Sequence, residues 1–188
     1  MFKATINNET YLSLLETRHA KELFQLIDSS RESIREWLEF PDLTHQVEDT
    51  DAFIRRSLKR FSENDGYWAG IWYRNKLAGS IGFLYMDWKN KKTEIGYWLG
   101  KEYEGLGLAT SSCKLFINHA FEELGLHKVQ IGVAANNLKS RAIPERLKFT
   151  NEGVIRHYEL LHGAYLDRVV YGLVKEEWEP ENESQAFI

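Results

Sequence analysis

Two glutamates stand alone among apolar neighbours. Glu94 lies between Thr93 and Ile95, and Glu159 between Tyr158 and Leu160. Charged side chains are seldom fully buried without a partner, so a carboxylate in such a segment is either paired or kept for chemistry, such as accepting a proton. The alternatives are a surface-facing strand position for Glu159 and a structural ion pair or sheet-face position for Glu94. A second feature is the stretch Leu99-Gly100-Lys101-Glu102-Tyr103-Glu104-Gly105-Leu106-Gly107-Leu108-Ala109-Thr110. Gly105 and Gly107 have no Cβ, so the backbone can turn tightly and approach a ligand. A helix starting just behind them points unpaired N–H groups outward, and together these suit an anion, most naturally a phosphate or pyrophosphate. Thr110 or Ser111 can add a hydroxyl donor. The alternative is a plain tight turn between strand and helix. No Gly-Lys-Ser/Thr follows, and the third glycine of a dinucleotide fingerprint would fall on Thr110. The loop also follows several strands instead of opening the fold, which argues against an NTPase and a Rossmann oxidoreductase.

Other reactive side chains carry less. Cys113 falls on the apolar face of a helix and reads as a small core residue. The six histidines show no metal-ligand spacing. His157 and His162 flank the Glu159 segment and could help bind a substrate. Tyr103, Tyr158 and Tyr165 could reach a cleft, whereas Trp68, Trp72, Tyr97 and Trp98 read as filling or edging a sheet.

These residues need elements to hold them. Ala20, Leu23, Phe24 and Ile27 recur at helical spacing over 18–28. Ser30 or Ser33 can cap a second short helix that ends near Trp37-Leu38, before Pro41. A third is expected over 48–62, with Ile54, Leu58 and Phe61 inward and acidic residues in its first turn. Strands follow at Tyr67–Tyr73, Leu77–Met86 and Thr93–Leu99, joined by short turns and so antiparallel. Residues 108–123 return to helical period, with Ala109, Cys113, Phe116, Ile117 and Ala120 inward. A strand at Lys128–Ala134 and a short helix over 138–147 follow. The last two strands are Glu152–Leu160 and Tyr165–Val174, turning at His162-Gly163. This order gives an α/β (α+β) class, a mixed sheet with helices on its faces and not a doubly wound repeat.

The 188 residues suit one domain, with no internal repeat or linker. Residues 175–188 hold one Lys and five Glu, which accounts for the whole formal charge of −4. The domain is expected over 1–178 and an acidic disordered tail over 179–188. The balanced remainder shows no nucleic-acid footprint. No stretch reads as a signal peptide or membrane span, and a single cysteine fits a reducing, cytoplasmic location.

Taken together, Arg35-Glu36-Trp37-Leu38, Thr93-Glu94-Ile95-Gly96-Tyr97-Trp98-Leu99, Tyr103 to Thr110, Asn137-Leu138-Lys139-Ser140 and Arg146-Leu147-Lys148-Phe149 form a recognisable series. Over about residues 8–175 the chain resembles the GCN5-related N-acetyltransferase (GNAT) superfamily. Within it the chain is most similar to the RimL-like branch, which acetylates protein N-terminal amines, including those of ribosomal proteins. The resemblance implies a bent, mixed, mostly antiparallel sheet flanked by helices, acetyl-CoA as donor, no metal and a possible homodimer. It implies that the backbone of Glu104, Gly105, Leu106, Gly107, Leu108, Ala109 and Thr110 holds the pyrophosphate. Tyr97, Trp98 and Leu99 would pair with the pantetheine arm, and Asn137 would hold the cofactor from the other side. Glu159 matches the residue thought to accept the amine proton through water. Ser140 matches the one proposed to hydrogen-bond or protonate the cofactor sulfur, unless it is an ordinary helix cap. Glu94 would orient the acceptor or a water.

Two positions depart from the family pattern. Glu102 stands where Gln or Arg is usual, and Pro144 lies inside the short helix, which is therefore expected to begin late. Four arginines on the early helices (Arg31, Arg35, Arg55, Arg56) could attract acidic parts of an acceptor or be solvated. Besides a protein N-terminus, the acceptor could be a polyamine, another amino compound or an antibiotic amine. A non-catalytic acyl-CoA-binding module and a scaffold are the remaining alternatives. The first gains over an enzyme if neither Glu94 nor Glu159 faces the thioester end of a cleft, and the second predicts no cleft between the strands at 99 and 133.

Overall fold

The computed structural model describes residues 3–179. All but Glu179 of the expected acidic tail lies outside the described residues. Eight strands form one sheet: β1 (Lys3–Thr5), β2 (Thr10–Leu14), β3 (Trp68–Tyr73), β4 (Lys76–Asp87), β5 (Lys92–Leu99), β6 (Lys128–Ala134), β7 (Thr150–Leu161) and β8 (Ala164–Val174). Their order is β1-β2-β3-β4-β5-β6-β8-β7, with every pair antiparallel except β5 and β6. The helices are α1 (Ala20–Ser29), α2 (Arg31–Arg35), α3 (Val47–Ser62), α4 (Leu108–Asn118) and α5 (Leu138–Arg146). The mixed sheet and its flanking helices agree with the sequence reading. The hairpin β1–β2 was not anticipated.

Each helix forms for a local reason and is fixed by a distant one. α3 buries Thr50, Ile54 and Ser57, a stripe at helical spacing. The Thr50 hydroxyl donates to the Ala20 carbonyl at 2.8 Å, and Ser57 Oγ accepts from the Trp68 N–H at 2.8 Å. Two polar side chains thus tie α3 to α1 and to β3. Phe61, expected inward, is 37% exposed because its ring only edges the sheet, meeting Tyr67 at 5.4 Å between centroids. α4 buries Cys113, Phe116 and Ile117, then passes into a π-type turn over His119–Glu123. Burial pushes the Cys113 thiol well up from its ordinary range, so it is not a nucleophile.

The sheet divides in the middle. β5 and β6 pair over only Lys92 to Glu94 against Lys128 to Gln130. Beyond that point the strands part, and among the described residues the β6-facing edge of β5 from Ile95 to Leu99 has no strand partner. A cavity of about 1830 Å³ fills the split, lined among others by Tyr97, Leu99, Val133 and Ala134. The scaffold alternative predicts no such cleft, so the structure removes it.

Candidate active site

The first end of the cavity is the glycine loop. Gly105 and Gly107 hold φ values of +78° and +76°, the left-handed region that favours glycine. Gly107 is the N-cap of α4 and supplies no capping side chain. The first helical bond runs from the Ser111 N–H to the Gly107 carbonyl at 3.1 Å. Among the described residues, no backbone carbonyl or side chain accepts from the amides of Gly105 to Thr110. A Cβ on either glycine would meet nothing within 4 Å. Six amides without a protein acceptor therefore gather at the positive end of a helix, with open space beside the two glycines, and a diphosphate suits them. The Ser111 hydroxyl turns back to the Gly107 and Leu108 carbonyls, which spends the donor offered in the sequence reading. Thr110 Oγ1 accepts from Arg146 at 3.0 Å and keeps its own proton to donate.

α5 forms the facing wall. Asn137 caps it, its side chain accepting from the Ser140 N–H at 3.1 Å. Ser140 is therefore not the cap; its hydroxyl is free for another partner, which is the Tyr97 hydroxyl at 3.2 Å. The helix starts at Leu138 and carries Pro144 inside, so the expected late start is corrected. The carbonyl left without a donor by Pro144 belongs to Ser140, and the Tyr97 hydroxyl donates to it at 3.1 Å. Glu104, on the loop, meets Lys139 of α5 at 2.9 Å across the slot. The Lys139 hydrogen bond holds the Glu104 carboxyl below its usual range.

The far end of the cavity is built by β7 and β8. Their register breaks between Ile155 and Glu159, and the three residues between them bulge out. His157 takes a φ of +50° in this bulge, and its N–H donates to Asp167 at 2.9 Å. The bulge restores Glu159 opposite Leu166 with its side chain on the cavity wall. Among the described residues the Glu159 carboxylate has no hydrogen-bond or ion-pair partner. Glu94 lines the same cavity but is ion-paired with Arg168. The Arg168 guanidinium also lies over the Tyr158 ring, 4.4 Å from its centroid. Burial lowers the Arg168 pKa.

Sequence reasoning named neither Arg168 nor Gly132, the residue that makes room for it. The available signal was a lone arginine inside an apolar strand, the mirror of Glu94. A Cβ at Gly132 would overlap the guanidinium. Gly132→Ala is expected to evict Arg168, leave Glu94 unpaired and cost about 3 kcal/mol. Thermal unfolding would show a Tm lower by roughly 6–12 °C; an unchanged Tm would mean that Glu94 does not depend on this pair.

The third wall comes from the early helices, with Trp37, Phe40 and Phe53 on it. The turn between β7 and β8 reaches it: a ring nitrogen of His162 donates to the Arg35 carbonyl at 2.8 Å. Of the four arginines considered, Arg31 binds the Pro41 and Thr44 carbonyls, Arg35 pairs with Asp42, and Arg55 pairs with Asp51. Arg56 lines the cavity. Among the described residues no cluster of His, Cys, Asp and Glu could hold a metal ion.

Ligand pockets usually measure about 300–1,000 Å³. This one is larger, as a site must be that seats a long phosphate-bearing donor and a second molecule together. An anion cradle at one end and an unpaired carboxylate at the other suit transfer of a group from that donor to an acceptor that must lose a proton. Known proteins give the class a family. The model for "Acetyltransferase (GNAT) domain" matches residues 10–150, and the chain belongs to that family. It is 37% identical to a putative ribosomal N-acetyltransferase, YdaF, of Bacillus subtilis (strain 168), over 96% of this chain and 100% of the relative. It is 25% identical to the ribosomal-protein-serine acetyltransferase of Escherichia coli (strain K12), over 90% of this chain and 94% of that one. The crystal structure of the microcin C7 self-immunity acetyltransferase MccE, in complex with acetyl-CoA and AMP, superposes with a TM-score of 0.86. It shares 29% identity and covers 90% of this chain and 94% of its own. The chain is thus an N-acetyltransferase of the RimL-like branch, with a site that fits acetyl-CoA.

Proposed function

We propose that this enzyme acetylates the N-terminal α-amine of a protein, of the kind ribosomal proteins present, by direct attack of the amine on the thioester. The observation that carries the reading is the Glu159 carboxylate, unpaired and brought by a bulge into the cavity that holds the anion cradle. An α-amine has a pKa of about 8, so a modest base reached through a water suffices to remove its proton. Tyr97, Trp98 and Leu99 offer their open backbone edge to the pantetheine arm. The amides from Glu104 to Thr110 take the diphosphate, and Asn137 holds the donor through the amide nitrogen that its cap leaves over. Ser140 supports the departing sulfur, and Glu94, through Arg168, shapes the acceptor end. Two relatives with ribosomal names support the acceptor class.

The same proposal includes a single acetyltransferase domain, a cytoplasmic location and a homodimer. The edge strand β7 supports the dimer, since it leaves Val154, Ile155 and Leu160 exposed. A second reading, acetylation of a small amine, is favoured by one observation: the MccE structure is a complex with both acetyl-CoA and AMP. Acetyl-CoA turnover against peptides with free N-termini, polyamines and aminoacyl nucleotides separates the two. We expect the highest kcat/KM on the peptides; a small amine that exceeds every peptide would overturn the protein-acceptor reading.

A further inference from the structure

Pro144 is the seventh of the nine residues of α5. A proline inside a helix offers no N–H to the carbonyl four residues earlier and costs about 3 kcal/mol. That carbonyl is Ser140's, and a phenol from another element has taken the vacant donor's place: the Tyr97 hydroxyl donates to it at 3.1 Å. With its proton so committed, the Tyr97 oxygen can only accept from Ser140 Oγ, which lies 3.2 Å away. One hydroxyl on β5 therefore grips Ser140 at both its main chain and its side chain. Tyr97, on β5, and Ser140, on α5, both line the cavity.

We propose that Tyr97 is a positioning residue: its hydroxyl, kept at Ser140 by the N–H that Pro144 lacks, holds the serine hydroxyl toward the sulfur of the donor, where it hydrogen-bonds the departing thiolate. This rests on the role given to Ser140 above. As the new C–N bond forms, the C–S bond breaks and its electron pair stays on sulfur. The Ser140 O–H then rotates and passes its hydrogen bond from the Tyr97 oxygen to the sulfur without losing its proton, while the bond from Tyr97 to the Ser140 carbonyl continues to fix the residue. Burial raises the Tyr97 pKa far above its ordinary range, so Tyr97 remains a donor and supplies no proton. The thiolate takes its proton from water once CoA leaves. A thiol pKa is about 8.5, far below that of an alcohol, so stabilising the thiolate costs less than protonating it from serine.

The effect can be read without an acceptor. In the complex with CoA, the thiol is titrated by the ultraviolet absorbance of its thiolate. The proposal expects a depressed thiol pKa in the wild-type complex, and a rise of about 1 unit, or tenfold in the ionisation constant, in Tyr97→Phe, with a rise at least as large in Ser140→Ala. Adding Tyr97→Phe to Ser140→Ala should raise it no further, because the two act as one unit. Pro144→Ala covers the case in which Tyr97→Phe fails to fold. It returns a helical N–H to the Ser140 carbonyl and frees the phenol, so it should raise the thiol pKa even as it raises Tm. A merely structural role would instead couple a gain in Tm to an unchanged or lower thiol pKa. If Ser140→Ala raises the thiol pKa while Tyr97→Phe, or in its stead Pro144→Ala, leaves it at the wild-type value, the positioning role is wrong and that of Ser140 stands. If Ser140→Ala also leaves it unchanged, both roles are wrong.

Discussion

Glu159→Gln lowers kcat by about 10²- to 10³-fold, with the KM for acetyl-CoA and the Tm close to wild type. The amide keeps the size and hydrogen-bonding reach of the carboxylate but cannot take a proton. Stability should hold because Glu159 has no partner to lose among the described residues and sits exposed on the cavity wall. The defect should narrow as pH rises past about 8, since the acceptor amine then sheds its proton without help. Glu94→Gln should behave differently. It removes the partner of a largely desolvated guanidinium, so its first effect falls on stability. A pH–rate profile for both variants, on the best acceptor, checks the contrast. Full turnover in Glu159→Gln at neutral pH would take the base role from this residue.

The two carboxylates also show where the sequence stops being informative. Each is a single acid in an apolar strand, and local pattern treats them alike. What separates them is Arg168, 74 residues from Glu94 along the chain, and the glycine that makes room for it. No periodicity contains that pairing. By contrast, α1, α3 and α4 follow from apolar residues at helical spacing, and the strands from β3 to β8 follow from short runs joined by turn residues. Those signals are local and agree with the tertiary structure. The hairpin β1–β2 left no such signal. Its strands span three and five residues; β2 is held by pairing with β3 and by Tyr11 stacked on Trp72 at 5.9 Å, and β1 pairs with β2. Pro144 is the opposite case, because a sound local rule gave the wrong helix start. The cost of proline is met by a tyrosine from β5, a partner that only the fold supplies. The glycine loop was legible as an anion site since its requirement is the backbone itself.

That backbone yields the second large effect. Gly107→Val is expected to raise the KM for acetyl-CoA by about 100-fold or more, near 2.7 kcal/mol, while the fold loses only the strain of a left-handed residue, about 1–2 kcal/mol. The asymmetry follows from the surroundings. A side chain at 107 meets no protein atom within 4 Å, so packing does not demand glycine there. It would instead enter the open space beside a run of unpaired amides, where it is expected to compete with the diphosphate. Gly100, a few residues earlier, is the control. A Cβ there runs into the Leu26 side chain, so Gly100→Ala should lower Tm and leave the KM for acetyl-CoA nearly unchanged. Calorimetric titration with CoA and thermal unfolding, applied to both variants, read the two quantities separately. If Gly107→Val lost stability and kept its affinity for CoA, the loop would be a tight turn and nothing more, and the donor would have to be held elsewhere. A helix that begins on glycine leaves the donors of its first turn without an acceptor of its own, and an anion from outside is what completes it.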